Sequence, residues 1–286
     1  MHESILVFGG NGLLATELKF FFRFNTDHKI VFLEKSKCDV TNLSNTYEFI
    51  NEFRPTIIIN CAGYTNVDLA ELYKKSAMDV NSNAVFNLAR ICSEKKIYLI
   101  HISTASVFNS NEIKLISGNS IRNPINYYNE TKLLAEKACE TFLNEGASIL
   151  VLRTYWLYGK KRQDFTEFVK KALNKNELIN IVHDQYGQPT SAHTLCKIIN
   201  YGMANRIQGF FPGTNTGIAN RIDWAHVICR KLQKKFMLIN PVSSSQFKSS
   251  ADRPFNTALS HSGVDFMGIE IEDWENALLK FLGNKT

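Results

Sequence analysis

Ile5-Leu6-Val7-Phe8-Gly9-Gly10-Asn11-Gly12-Leu13-Leu14-Ala15 is the stretch that decides the fold. Four consecutive apolar residues read as a strand buried on both faces, and the pattern from Leu13 to Phe22 reads as a helix. Between them stand two overlapping glycine templates, Gly9-x-x-Gly12-x-x-Ala15 and Gly10-x-Gly12-x-x-Ala15. Glycines there permit a tight turn and close backbone approach to a pyrophosphate, and a small residue at Ala15 lets helix and strand pack. The amides at the helix start, from Gly12 through Leu13 and Leu14, offer free N–H groups and the positive end of the helix dipole to phosphate. A glycine motif alone is weak. A motif that follows a strand and opens a helix predicts a dinucleotide site.

Working outward, the alternation continues. Strands are expected at 29–33, 56–60, 98–103 and 149–153, with helices at 43–53, 81–95 and 128–143. Continuous apolar strands separated by helices predict an α/β fold, a doubly wound parallel sheet of Rossmann type covered on both faces. After Arg153 the alternation fades, and helical patterns at 164–173, 194–204, 223–232 and 273–282 are separated by irregular Gly-, Asn- and Ser-rich segments. The expected organisation is a dinucleotide-binding domain over 1–155. A smaller substrate-binding portion over 156–286 is expected to interleave with it.

The second strand ends in Leu33-Glu34-Lys35, about 20 residues after the glycine loop,. An acidic residue there binds the ribose hydroxyls of NAD, and a cation favours the 2′-phosphate of NADP. Glu34 beside Lys35 leaves NADP or NAD open. Asp39 is placed for the adenine side of such a site, or equally as a turn cap.

Tyr128 and Lys132 lie four apart at the start of a helical pattern and so share one face. The pair alone is weak in a chain with ten Tyr and 33 Lys and Arg. Context strengthens it, because the fourth strand ends in Ser103-Thr104, and ligands of open parallel sheets bind beyond the carboxyl ends of strands. A hydroxyl, a phenol and an ammonium converging on one carbonyl suit hydride reduction of a ketone, where the alkoxide must receive a proton. Lys132 is expected to draw the Tyr128 pKa down from ~10, and Thr104 to donate to the carbonyl oxygen.

Composition bounds the rest. The chain has 286 residues, 44% hydrophobic and 21% charged, with a formal charge of +6. That length can bury a core without disulfide or metal staples. The charge is spread widely, with clusters at Lys160-Lys161-Arg162 and Lys234-Lys235, and reads first as solvated surface, second as attraction for an anionic small substrate. No nucleic-acid partner is expected. The six Cys show no C-x-x-C pair, which favours a reduced, cytoplasmic setting,. Met1-His2-Glu3 leads straight into the first strand with no targeting signal, and no apolar run approaches the ~18 residues of a membrane span, so no membrane association is expected. The seven His show no metal-ligand spacing, so no metal is expected, and His101 reads as a satisfied core residue,.

At this point the chain resembles the dTDP-4-dehydrorhamnose reductase family of extended short-chain dehydrogenases/reductases. The segments that carry the likeness run nearly end to end: Gly9 to Ala15, Asn60 to Asp68, Ser103-Thr104 with Val107-Phe108, and Pro124 to Leu133, the most specific. Arg153 to Gly159, Asp184 to Thr190 and Arg253-Pro254 complete the set. The resemblance implies a nucleotide-linked 4-keto-6-deoxy sugar as substrate. It implies Tyr128 as acid/base, Lys132 as its partner and Thr104 as the third member of the trio. Gly9, Gly12 and Ala15 would hold the pyrophosphate, and Ala62, Gly63 and Tyr64 would lie along the cofactor. Thr65, Val67 and Trp156 would lie near the sugar, and the Gln185 to Thr190 segment and Arg253 would wall in the nucleotide diphosphate. A homodimer is compatible with the resemblance.

Three departures bear on the sugar. Ala105 and Ser106 follow Thr104 where the family usually has an acid and a large aromatic, Asp164 replaces Asn, and Tyr155 replaces Ser. Ala105 and Ser106 cannot act as acid or base, which opposes a dehydratase. A nucleotide-sugar epimerase, or a non-catalytic subunit resembling the β subunit of methionine adenosyltransferase, are the alternatives on the same fold.

Overall fold

The computed structural model describes residues 3–24, 27–160, 164–247, 249–262 and 268–283. Lys161 and Arg162 of the first basic cluster lie outside them. In chain order the elements begin with β1 (Glu3–Phe8), α1 (Leu13–Phe21), β2 (His28–Leu33), α2 (Leu43–Phe53), β3 (Ile57–Asn60), α3 (Val67–Leu72) and α4 (Lys74–Met78). A turn of π-helix over Asp79–Asn83 then leads into α5 (Ala84–Lys95), β4 (Tyr98–Thr104), α6 (Tyr127–Asn144) and β5 (Ile149–Thr154). The second half holds β6 (Leu157–Tyr158), α7 (Phe165–Asn174), β7 (Ile179–Val182), β8 (Tyr186–Gly187), β9 (Thr190–Ser191), α8 (Ala192–Ala204), β10 (Gly209–Pro212), β11 (Ala219–Asn220), α9 (Arg221–Lys231), β12 (Ile239–Val242) and α10 (Trp274–Gly283).

Six strands form one parallel sheet in the order β10-β5-β4-β3-β1-β2. Its apolar runs are buried because helices cover both faces. In β3, for example, all four residues from Ile57 to Asn60 are buried, with no alternation between an inner and an outer face. On one face Leu14 and Leu18 of α1 pack with Leu195 and Ile199 of α8, and on the other Ile50, Leu88, Ile91 and Ala135 pack from α2, α5 and α6. At ~1.5–3 kcal/mol for each large apolar side chain buried, these two layers dominate the stability of the sheet. A third core, around Tyr158, Val169, Trp224, Ile228 and Leu278, joins α7, α9 and α10 beside it.

Several elements escape the sequence pattern, among them two helices and one strand of the main sheet. The helical region expected at 81–95 starts earlier, with α3 and α4. These short helices bury little beyond Ala70 and Ala77, while Leu69 and Leu72 stay exposed, so no long apolar stripe marks them. The sixth strand, β10, is only four residues, Gly209-Phe210-Phe211-Pro212, and Pro212 is tolerated because it lies at the sheet edge,.

The chain leaves β1 toward β2 on one side and returns to β3 on the other. The order of strands therefore reverses between β1 and β3, and a crevice opens there at the carboxyl ends, where ligands of such sheets bind,.

Candidate active site

The crevice is an open cleft of about 660 Å³. One wall is backbone. Gly9 has φ +77°, and a Cβ on it would fall 2.7 Å from the Ala62 amide nitrogen, so only glycine lets the turn lie against the loop after β3,. Gly10 N–H donates to Leu33 O at 2.8 Å, which ties the end of β2 to the same turn. Gly12 caps α1 with extended backbone and no side-chain hydrogen bond, leaving the first-turn amides to the cleft that Gly12, Leu13 and Leu14 line,.

The facing loop is pinned at two points by buried asparagines. Asn60 Oδ1 accepts from Ala62 N at 3.1 Å. Asn81, in the π-turn, accepts from Tyr64 N at 2.9 Å, and its Nδ2 donates to Tyr64 O and to Thr131 Oγ1, both at 3.1 Å. Ala62, Gly63 and Thr65 thereby line the cleft, whereas Tyr64 is held there through its backbone. Single turns of π-helix recur at functional sites, and Asn81, which sequence reasoning missed, ties this loop to α6.

Glu34, Lys35 and Asp39 stand apart from the cleft lining, just beyond the end of β2. Lys35 Nζ lies 3.4 Å from Asp39 with its own side chain 81% exposed. Asp39 accepts from the Thr41 amide at 3.0 Å and the Thr41 hydroxyl at 2.8 Å, a local turn of the kind its capping role predicts. Partial burial works to raise the Asp39 carboxyl, but the Thr41 hydrogen bonds and Lys35 outweigh it and hold it below its usual value.

Thr104, Tyr128 and Lys132 all line the cleft. Thr104 ends β4, and Tyr128 and Lys132 lie one turn apart at the start of α6. Asn126 caps α6 by accepting from Asn129 N at 2.8 Å, and its Nδ2 donates to Asp252 O at 2.7 Å, which brings the segment carrying Arg253 to the same end. Lys132 is buried; its Nζ donates to Ile102 O at 2.7 Å and lies 3.4 Å from His101 Nε2. His101 is fully buried, with Nδ1 3.3 Å from Asn60 Nδ2.

Burial lowers the Lys132 ammonium to about 8. The phenol behaves differently from expectation. Burial, reinforced by the neighbouring Tyr155, pushes Tyr128 up to about 12, and its hydrogen bond with Thr104 offsets this only in part. The Lys132 ammonium donates instead to the Ile102 carbonyl, and desolvation of the phenol outweighs what lowers it,. Tyr128 is therefore a neutral O–H donor across the ordinary pH range.

The other wall is made of side chains. Thr65, Val67, Ser106, Trp156 and Arg253 line it. Arg253 is paired with Asp68 at 2.8 Å and also donates to Ala251 O at 2.6 Å. Trp156 sits at φ +45°, a strained conformation for a bulky residue, with Tyr155 stacked at 5.3 Å on its ring and Arg221 4.6 Å from the ring centroid,. Asp164 caps α7, accepting from Glu167 N and from Gly159 N at 3.0 Å each, and burial raises its carboxyl. Tyr155 packs on the cluster of Ala105, Val107 and Phe108, beside the small residues that follow Thr104.

The Gln185 to Thr190 segment does not line the cleft. Gln188 is buried and turned to the chain behind it, accepting from Leu259 N at 2.8 Å and Thr214 Oγ1 at 3.0 Å, so this stretch braces the wall from outside. Arg153 likewise points into the core, where it grips Glu136 through Nε and Nη2. Arg221 was missed because nothing near it in sequence marks a site; only the fold brings α9 to Trp156. Among the described residues, no group of three or more His, Cys, Asp or Glu is placed to hold a metal ion, and no helix is long and apolar enough to cross a membrane.

A parallel sheet with its order reversed at β1/β3, a glycine turn there and a hydroxyl, phenol and lysine at the strand ends define a Rossmann-type protein of the extended short-chain dehydrogenase/reductase class. The family model described as RmlD substrate binding domain matches residues 2–286, and the chain belongs to that family. It is 30% identical over 279 residues to a dTDP-4-keto-6-deoxy-D-glucose reductase from Streptomyces niveus, covering 97% of this chain and 96% of that protein. It is 26% identical to a dTDP-4-dehydrorhamnose reductase from Aggregatibacter actinomycetemcomitans, covering 96% of each. Among solved structures, the dTDP-4-dehydrorhamnose reductase of Bacillus anthracis in complex with NADP superposes with a TM-score of 0.92 at 30% identity, over 98% of this chain and 99% of that one. A Thermus thermophilus UDP-glucose 4-epimerase with TM-score 0.83 is 13% identical and shares the fold.

Proposed function

We propose that the protein is an oxidoreductase that uses NADPH, with NADH tolerated, to reduce a nucleotide-linked 4-keto-6-deoxy sugar, converting dTDP-4-dehydrorhamnose to dTDP-L-rhamnose. The observation that carries this is the convergence of the glycine turn and of Thr104, Tyr128 and Lys132 on one cleft. The full-length likeness to proteins named as reductases of dTDP-linked keto sugars supports the sugar class.

The residues present fit the cofactor. The turn at Gly9 has no room for a Cβ, and the uncapped start of α1 offers amides to a pyrophosphate,. Gly9, Gly12, Leu13 and Leu14 would hold the diphosphate, and Ala62, Gly63 and Tyr64 the loop side. Glu34 and Lys35 lie one and two residues past the Leu33 carbonyl that binds Gly10, beside the turn, where they would meet the adenosine ribose. When bound, the nicotinamide supplies the hydride. Tyr128, neutral by virtue of its burial, gives its proton to the carbonyl oxygen as charge develops there. Thr104 shares that oxygen, and Lys132 holds positive charge behind the phenol. Arg221 and Arg253 supply positive charge to the diphosphate of the sugar nucleotide, and residues 156–286 form the substrate-binding portion, interleaved with the cofactor domain 1–155 through β10.

The test is a panel of nucleotide-linked keto sugars with NADPH and with NADH, followed by loss of reduced-nicotinamide absorbance. Turnover of dTDP-4-dehydrorhamnose is expected. Turnover of another keto sugar in its place would leave the reductase class and remove the sugar assignment.

A further inference from the structure

Asn129 is 1% exposed, stands directly after Tyr128 and lines the cleft. Its Oδ1 accepts from Ser106 Oγ at 2.5 Å. Ser106 Oγ lies in turn 2.8 Å from Thr104 Oγ1, and Ser106 N donates to Thr104 Oγ1 at 3.2 Å. An amide oxygen can only accept, so the single Ser106 proton is committed to Asn129. With no ketone in the cleft, the Thr104–Ser106 contact then takes its proton from Thr104, which turns to the carbonyl oxygen when the substrate is bound,. Ser106 therefore cannot itself donate to a substrate, although it lines the cleft.

Asn129 Nδ2 is left over. It is buried and has no hydrogen-bond partner among the described residues. Buried donors without partners are rare, and the cost of leaving one unmade is large enough that each asks for a reason. Ser106 fixes the other end of the same amide, so the two N–H bonds cannot simply rotate toward a protein acceptor. A fixed, unpartnered donor at a cleft wall, next in sequence to the proposed proton donor, is the arrangement that recognises a substrate oxygen beside the reacting carbon.

We propose that Asn129, held by Ser106, determines specificity by donating to the hydroxyl on the ring carbon adjacent to the ketone. This rests on the reductase reading above. In a 4-keto-6-deoxy sugar the ketone has two ring neighbours. Carbon 5 bears the methyl group and carbon 3 a hydroxyl, so the oxygen read is that on carbon 3. A site built to hydrogen-bond a hydroxyl rejects the analogue lacking it far more strongly than an apolar pocket rejects a missing methylene.

The experiment measures kcat/KM for the 4-keto-6-deoxy sugar nucleotide and for its 3-deoxy counterpart, with wild type, Asn129→Ala and Ser106→Ala. The ratio of the two values is the readout, because partial unfolding scales both substrates alike and leaves the ratio unmoved. Wild type is expected to prefer the 3-hydroxy sugar by about 100-fold or more. In Asn129→Ala that preference falls by about 10- to 100-fold, and in Ser106→Ala, where the amide loses its anchor, by about 3- to 10-fold. An unchanged ratio in Asn129→Ala overturns the inference and leaves the reductase reading standing. Failure of wild type to turn over either sugar overturns both.

Discussion

The wall of the cleft formed by Gly12–Leu14 and the loop after β3 is largely backbone, set by the Gly9 turn and pinned by Asn60 and Asn81, whereas the wall formed by Ser106, Asn129, Tyr155, Trp156, Arg221 and Arg253 is side chains brought from five separate segments. The first tolerates almost any side chain except at glycine, where a single Cβ would overlap the facing loop. The second can exchange one side chain for another, as Tyr155 packing beside small Ala105 and Ser106 shows. Backbone walls keep one ligand across a family; side-chain walls let the ligand vary.

The sharpest way to break that comparison is at the seam between the walls. Tyr128→Phe keeps the ring and removes the proton, and is expected to lower kcat by about 100-fold or more with cofactor affinity nearly unchanged. Near-normal turnover would remove Tyr128 from the chemistry. On the backbone wall, Gly9→Ala must adopt φ +77° and displace Ala62. It is expected to weaken cofactor binding by about 10- to 100-fold, in line with ~1–3 kcal/mol of strain, measured by titration of the nicotinamide fluorescence. A normal affinity would mean that the turn is not the diphosphate site.

The pH profile tests the lysine behind the phenol. Burial disfavours the Lys132 charge, so its folded-state value near 8 lies below that of a free lysine and the ammonium is lost as pH rises through about 8. The kcat/KM for reduction is expected to fall by about tenfold per unit above that point. Lys132→Arg, which stays charged, should abolish the descending limb; a limb that persists in that variant belongs to another group.

Ser106→Tyr tests whether the side-chain wall is already full. It forces a ring into a buried position already in contact with Asn129, with Tyr155 packed on the neighbouring cluster, and is expected to lower Tm by several degrees, an overpacking cost of ~1–3 kcal/mol,. Adding Tyr155→Ser should recover part of that loss in a thermal melt, and purely additive losses would mean that Tyr155 does not substitute for the missing aromatic. The smallest effect is expected at the cofactor's far end. Lys35 is mostly exposed, so Lys35→Ala should weaken NADPH by about three- to fivefold and NADH less, as solvent screening limits such contacts. Equal losses would place Lys35 away from the ribose phosphate.

The same contrast governs what the sequence makes legible. The strand–turn–helix of the glycine loop is contiguous, so Gly9, Gly12, Leu13 and Leu14 could be read directly, and apolar runs such as Ile57-Ile58-Ile59 announce buried strands. Tyr128 and Lys132 lie one helical turn apart and are equally local. Asn81 and Arg221 carry no local mark: one works through a π-turn and the other reaches Trp156 only because α9 folds back. The segment at 185–190 looked like a wall, yet its polar residues satisfy the chain behind it. The shift of the Tyr128 phenol was also beyond the sequence, because its sign depends on where the Lys132 ammonium turns and how dry the phenol is.

The edge strand β10 has one further consequence, for synthesis. The core strand β5 ends at Thr154, but its outer neighbour arrives only with Gly209–Pro212. At ~5–20 residues per second, the ribosome needs about 3–12 seconds to deliver it. During that interval the nascent sheet presents the unpaired β5 edge, a template for pairing with other chains. Tyr98, whose hydroxyl meets Gly202 O of α8 at 3.0 Å and Ile207 O just beyond that helix, must wait nearly as long for its acceptors. A ribosome-bound chain halted short of β10 is thus the species on which a holding chaperone would act.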